Sequence, residues 1–230
     1  MYDARSEQAN RQVELSQQTR SNEPRWPSGV AVVAIGGLFA ALPSSLVAGP
    51  RWLLLATVLV LLAPTIISHR IGHHSLNQIL GSVVNGVVTL AMIASLALLI
   101  RAVSAHTITP PQLLRSAAAL WISNILVFAS WYWRLDAGGP HERARTPGHA
   151  DGAFLFPQMT MDPAAKRAAG EHDWEPNFVD YLFLAFNTST AFSPTDVPVL
   201  SRWAKGLMMI QSLISLLVIA LLAGRAVNIL

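Results

Sequence analysis

The chain has 230 residues, of which 52% are hydrophobic and only 13% are charged. A soluble domain carries about 25% charged residues, so this composition indicates a membrane protein. The chain has 16 Lys and Arg against 13 Asp and Glu, a small excess that favours anionic lipid headgroups over nucleic acid as the anionic partner. The absence of cysteine excludes disulfides, thiolate metal ligands and thiol nucleophiles.

In chain order, a polar tail over residues 1–27 precedes the first apolar segment and is predicted to be disordered. A hydrocarbon core of roughly 30 Å needs about 20 apolar residues in a helix, and several segments reach that length. Only Gly49, Pro50 and Arg51 separate the first two, which predicts a tight helical hairpin. The predicted spans are 28–48, 52–68, 79–101, 112–133 and 203–224.

The first four spans form a predicted bundle over residues 28–134. Thr109 is a predicted N-cap ahead of Pro110 and Pro111, where proline suits the first turn of a helix. The run from Trp131 to Arg134 closes the fourth span with the aromatic and basic residues typical of a membrane interface.

A polar loop over residues 135–176 follows this bundle. It contains one apolar island, Phe154 to Pro157, which the pattern places either on the membrane surface or against the bundle.

A sixth apolar run, from Phe178 to Phe192, is too short to span a membrane. Asn177 and Asp180 have the spacing of an N-terminal cap, and Pro194 ends the run. Ser201 then offers a cap for the last span. Residues 177–230 are therefore predicted to form a re-entrant half-helix, a loop and a final span. The predicted fold is an all-α membrane protein with five transmembrane helices and one re-entrant half-helix.

The distribution of cations predicts the orientation of the chain. With the N-terminus and the long loop in the cytoplasm, only Arg51, Arg101, Arg115 and Arg225 fall on the opposite side. This arrangement predicts a multi-pass protein of the cell inner membrane with a cytoplasmic N-terminus.

Hydroxyl and amide side chains cluster around the short run and the last span. Polar groups at membrane depth either bind neighbouring helices or line a polar path, so these residues are candidates for contact with an ion. The alternative is a structural plug whose hydroxyls satisfy only protein groups. The pore or ion-contact candidates are Thr188, Ser189, Thr190, Ser193, Thr195, Asp196, Gln211 and Ser215.

The last third resembles an uncharacterised bacterial membrane family, domain of unknown function 1345. The resemblance lies in the island at 154–157, the stretches 178–186 and 190–197, Ser201-Arg202, and the closing run 226–230. It implies an integral protein of a bacterial membrane and no established activity.

The order of helix, loop, half-helix and helix is also similar to the pore module of two-helix potassium channels. The segment 190–196 lacks the glycines that let a potassium filter align successive carbonyls. A potassium-type filter is therefore not expected.

Other polar residues have weaker patterns. His69, His73 and His74 form the densest histidine cluster and are weak metal candidates, because Gly72 interrupts the helix that would align them. Asn85 and Asn124 lie inside predicted spans, where asparagine usually bonds to another helix.

Ala220 and Gly224 form a small-xxx-small pair that is compatible with packing within the chain or in a homo-oligomer. Enzyme motifs and cofactor-binding loops are absent from the sequence. The preferred function is an oligomeric pore for a monovalent cation, without an enzymatic activity or a cofactor. The alternative is a non-conducting membrane scaffold or partner-binding protein.

Overall fold

The computed structural model describes residues 26–47, 49–50, 52–60, 74–145, 152–171, 174–191 and 197–227. These residues form helices joined by short turns. We number the helices α1 (Trp26–Ala40), α2 (described over 52–60), α3 (His74–Ser104), α4 (Pro110–Leu135), α5 (Pro140–Arg145), α6 (Pro157–Thr160), α7 (Pro163–Ala168), α8 (Phe178–Thr190) and α9 (Arg202–Val227).

Three of the described helices, α3, α4 and α9, are long and apolar enough to cross a membrane. They coincide with the third, fourth and fifth predicted spans and support a membrane-embedded, helical protein. Helix α1 has 15 residues and ends at Ala40, before Pro43, instead of continuing to residue 48. Proline lacks a backbone donor and disfavours helix at the residue before it, which accounts for the early end. The second predicted span continues past the described residues, so the count of five spans stays a prediction.

Helix α4 is the centre of the bundle and packs against α1, α3, α8 and α9. It begins as predicted, with Thr109 as N-cap, whose backbone N–H donates to Gln112 Oε1 at 3.2 Å. Helices α1 and α2 approach closely where Gly36 faces Leu55. A Cβ at Gly36 would lie only 2.8 Å from Leu55 Cδ1, so a larger residue there would displace the Leu55 side chain.

The apolar island packs against the bundle, which is the second of the two predicted placements. Phe154 and Phe156 are buried. Residues 153–156, which we call the strap, run antiparallel to residues 198–200 just before α9. The N–H of Leu155 donates to Pro198 O at 3.0 Å, and the N–H of Leu200 donates to Ala153 O at 2.8 Å. The strap therefore fixes the start of α9 against the end of α4.

Candidate functional site

Helix α8 has 13 residues and begins at the predicted cap. Asn177 Oδ1 accepts from the N–H of Val179, and Asp180 Oδ2 accepts from the N–H of Asn177, both at 2.8 Å. This reciprocal capping box satisfies amide donors that have no partner inside the helix. The predicted short helix is thus confirmed, and at about 20 Å it is shorter than a hydrocarbon core of roughly 30 Å.

The threonine hydroxyls in the last turn of α8 donate to carbonyl groups of the same helix. Thr188 Oγ1 donates to Leu184 O at 2.8 Å, and Thr190 Oγ1 donates to Phe186 O at 2.9 Å. Thr190 Oγ1 also lies 3.3 Å from Asn187 O, one of the carbonyls near the helix end. These i to i−4 bonds are the usual way in which threonine inside a helix bonds to its own backbone, so the two hydroxyls have partners within α8.

Gln211 of α9 is fully buried and binds both neighbouring helices. Its Nε2 donates to Ala185 O at 2.7 Å and to Ser189 Oγ at 2.8 Å, both on α8. Its Oε1 accepts from Tyr132 Oη of α4 at 2.5 Å. One amide therefore joins three helices.

Asn124 of α4 completes this cluster. Its Nδ2 lies 2.8 Å from Ser215 Oγ, 3.2 Å from Gln211 O and 3.5 Å from Ser189 Oγ. The prediction that Asn124 bonds across to another helix is confirmed. We call Asn124, Tyr132, Ser189, Gln211 and Ser215 the polar cluster.

The eight predicted pore candidates have different outcomes. Thr188, Ser189, Gln211 and Ser215 are brought together in the interior, with at most 1% of any of them exposed. Thr190 is exposed at the end of α8. Ser193, Thr195 and Asp196 lie outside the described residues.

The weak histidine candidates cannot be placed as ligands. His69 and His73 lie outside the described residues, and only the backbone of His74, at the start of α3, is described. Within the described part of the chain, no three His, Cys, Asp or Glu side chains are grouped so that they could hold a metal ion.

The end of α4 differs from the predicted interfacial belt. Tyr132 and Trp133 are buried inside the protein. Trp131 is partly buried and its Nε1–H donates to Thr89 Oγ1 of α3 at 3.0 Å. These rings therefore pack between helices, because α4 is surrounded by other elements at this end.

Asp136, one turn beyond Tyr132, is a buried acid that sequence reasoning did not single out. Its Oδ1 accepts from the N–H of Ala153 in the strap, and its Oδ2 accepts from Tyr181 Oη of α8, both at 2.6 Å. Arg143 lies beside it: its Nη1 donates to Asp136 O at 2.9 Å, and its guanidinium lies 5.1 Å from the centre of the Tyr181 ring. The carboxylate thus joins α4, α8 and the strap.

Aromatic side chains fill the space between Asp136 and the polar cluster. The Phe154 ring lies 5.2 Å from Tyr132, 6.2 Å from Tyr181 and 6.1 Å from Trp203, each in an edge-to-face arrangement. Such pairs prefer this geometry because the ring edge is positive and the face negative. The start of α8, the start of α9 and the end of α4 therefore meet around one strap residue.

Other predicted polar and small residues take no part in this site. Asn85 is buried on α3, and its Nδ2 has no hydrogen-bond partner among the described residues. Ala220 and Gly224 are exposed on α9, and no atom lies within 4 Å of a Cβ built at Gly224. Their role in packing between chains stays a prediction.

No protein-family model, curated protein or solved structure matches this chain. The resemblance to domain of unknown function 1345 and to potassium-channel pore modules stays a prediction from the residues.

Proposed function

We propose that the protein is a non-conducting membrane scaffold or partner-binding protein in which α8 is a fixed, re-entrant structural helix. The observation that carries this proposal is the pairing of the described buried pore candidates. Three of them belong to the polar cluster and bond to neighbouring helices, and Thr188 bonds to its own helix.

The contacts of α8 support the re-entrant path. Tyr181, near its start, bonds to Asp136 at the end of α4, whereas Ser189, near its end, bonds to Gln211 and lies beside Asn124. Asn124 precedes Leu135 by 11 residues, a distance of about 16 Å along α4. The start of α9 lies again beside the end of α4, because Trp203 packs against Phe154. A helix that descends about half of a 30 Å core and a chain that returns are the features of a re-entrant element.

The hydrogen bonds of the buried pore candidates support a plug over a path. A permeating cation exchanges water for oxygen ligands that face a wet channel. Ser189 Oγ instead accepts from Gln211, Gln211 Oε1 accepts from Tyr132, and Thr188 Oγ1 donates to its own helix. Breaking such bonds in an apolar surrounding would expose unpaired polar groups at a cost of about 1–3 kcal/mol each.

The outer surface of α9 supports a role in lateral contacts. Met209, Leu213, Leu216 and Leu217 are all exposed, so α9 presents an apolar face to lipid or to another membrane helix. Helices in lipid associate by close packing and by hydrogen bonds between them, and the Ala220–Gly224 pair on the exposed side of α9 leaves room for such packing.

Ion conduction by an oligomer is the second candidate function. It is favoured by the exposed Thr190, which directly precedes the loop that contains Ser193, Thr195 and Asp196. In that arrangement several copies would place their loops around a common axis, and the buried cluster would hold each loop in position.

Thiol labelling and ion flux separate the two functions. The chain has no natural cysteine, so Thr188→Cys, Ser189→Cys and Thr190→Cys each introduce a single thiol. We expect an impermeant maleimide to modify none of the three variants in liposomes, because the end of α8 lies at membrane depth without a water path, whereas a conducting protein should be modified at Thr190. We also expect cation flux equal to that of protein-free liposomes. Flux through the wild type that Asp196→Asn abolishes would refute the scaffold proposal in favour of conduction.

A further inference from the structure

A shallow apolar groove lies between the end of α4 and the first two turns of α9. Leu135, Trp203, Gly206, Leu207 and Ile210 line it, and its volume is about 560 Å³. This volume is within the range of about 300–1,000 Å³ that is typical of small-molecule clefts.

Gly206 lines the groove without a side chain. No atom lies within 4 Å of a Cβ built at this position, so the space beside the helix is open. The groove residues of α9 are three or four positions apart and form one stripe about 10 Å long. Trp203 at the top of the stripe is 39% exposed and is held by its edge-to-face contact with Phe154.

A basic side chain, that of Arg202, lies at the N-terminal end of this apolar stripe. Arg202 is exposed and precedes Gly206 by four positions, so the two are neighbours on the helix surface. The first turn of α9 contains no acidic residue. Lys205 is also exposed, but its helix neighbours are residues 201, 202, 208 and 209, none of which lines the groove.

We propose that this groove binds an anionic phospholipid, with one acyl chain along Gly206, Leu207 and Ile210 and the phosphate beside Arg202. An apolar groove at the end of two helices that are long enough to span matches a lipid chain, and a tryptophan and an arginine at its mouth match the headgroup level. A membrane-adjacent cation contributes about 1 kcal/mol to the binding of anionic lipid, which corresponds to about a fivefold preference. This lipid site is independent of whether the protein conducts ions.

Competition between two lipids tests the site. The full-length protein is mixed with equal amounts of phosphatidylglycerol and phosphatidylcholine of the same chain length, and bound lipids are counted by native mass spectrometry. We expect the wild type to retain phosphatidylglycerol with about a fivefold preference. Arg202→Gln should abolish this preference, and Lys205→Gln should retain it.

Two glycine variants test the groove itself. Gly206→Leu fills the space and should remove the retained lipid, whereas Gly224→Leu, at an equally open position near the other end of α9, should not. The proposal is overturned if Arg202→Gln and Lys205→Gln reduce the preference equally, because diffuse surface charge would then explain it. It is also overturned if Gly206→Leu retains as much lipid as Gly224→Leu.

Discussion

Replacing Gln211 by leucine tests whether the polar cluster stabilises the bundle. Leucine has a similar volume, so the change removes hydrogen bonds while leaving little empty space. The lost bonds are those to Ala185 O and Ser189 Oγ on α8 and the one from Tyr132 Oη on α4. The variant therefore removes the side-chain hydrogen bonds of Gln211 to two helices and keeps the apolar contacts around it.

The expected loss follows from the number of bonds. A side-chain hydrogen bond between membrane helices contributes about 0.6 kcal/mol on average and about 1.7 kcal/mol at most. The three lost bonds therefore amount to about 2 kcal/mol. Tyr132 is fully buried, and its hydroxyl is left without this acceptor, which adds a further cost of about 1–3 kcal/mol. We expect Gln211→Leu to lower the free energy of unfolding by about 3–5 kcal/mol.

Ser212 provides the matched control. It is the next residue on α9, is half-buried, and its Oγ lies 3.5 Å from Thr188 O, at the limit of a hydrogen bond. Ser212→Ala should change stability by less than about 0.5 kcal/mol. The measurement is reversible unfolding of the protein in mixed micelles with increasing denaturing detergent.

A double-mutant cycle with Tyr132→Phe tests whether part of the loss arises from the hydrogen bond between Gln211 and Tyr132. Tyr132→Phe removes a single bond to Gln211, so the two changes together should cost less than the sum of the separate losses. If Gln211→Leu is no more destabilising than Ser212→Ala, the polar cluster does not hold the helices together, and the main support for a structural α8 is lost.

Two further predictions concern the packing around the cluster. Phe154→Ala should lower the free energy of unfolding by about 3–5 kcal/mol, measured in the same assay, whereas Leu155→Ala, at a half-exposed neighbour, should cost much less. Equal losses would show that the strap is not anchored by its Phe154 ring. At Gly81 an added Cβ would overlap the guanidinium of Arg134 and displace it, whereas at Gly86 it meets no atom within 4 Å. Gly86→Ala should therefore raise stability by up to about 1 kcal/mol, and Gly81→Ala should raise it less. A Gly81→Ala protein with a thermal midpoint at or above that of Gly86→Ala would contradict the placement of Arg134.

The capped starts of two helices could be predicted from the sequence, because their signals are local. Thr109 with Gln112 and Asn177 with Asp180 act over three residues, so the start of α4 and that of α8 are encoded by immediate neighbours. The length of an apolar run likewise identified α3, α4 and α9 as spans. The short length of α8 follows from the same local pattern.

Partners across helices could not be predicted from the sequence. Asp136 lies next to the predicted end of a span, where an acid normally faces water, and its contacts are to residues 17 and 45 positions away. Tyr132 and Trp133 have the composition of an interfacial belt, and only the packing of α8 and the strap against α4 buries them. Hydropathy shows that these rings are apolar, but it does not show whether lipid or protein covers them.

The placement of polar residues on α4 indicates how a short helix is held without spanning. In lipid the apolar surface of α8 gains little by meeting apolar surface of α4, since lipid chains are equally apolar. Specific attachment therefore depends on polar bonds and on close packing. Asp136 binds the first turns of α8 through Tyr181, and Asn124 meets its last turn at Ser189, so α4 is attached at both ends of α8.

Gln211 binds the same last turn of α8 from the side of α9. Because α8 is fixed at its start by α4 and at its end by α4 and α9, its tilt is determined by contacts at its two ends. A helix of 13 residues held in this way has little freedom to move as a gate. Beyond Ser189, Thr190 is the first exposed hydroxyl of α8.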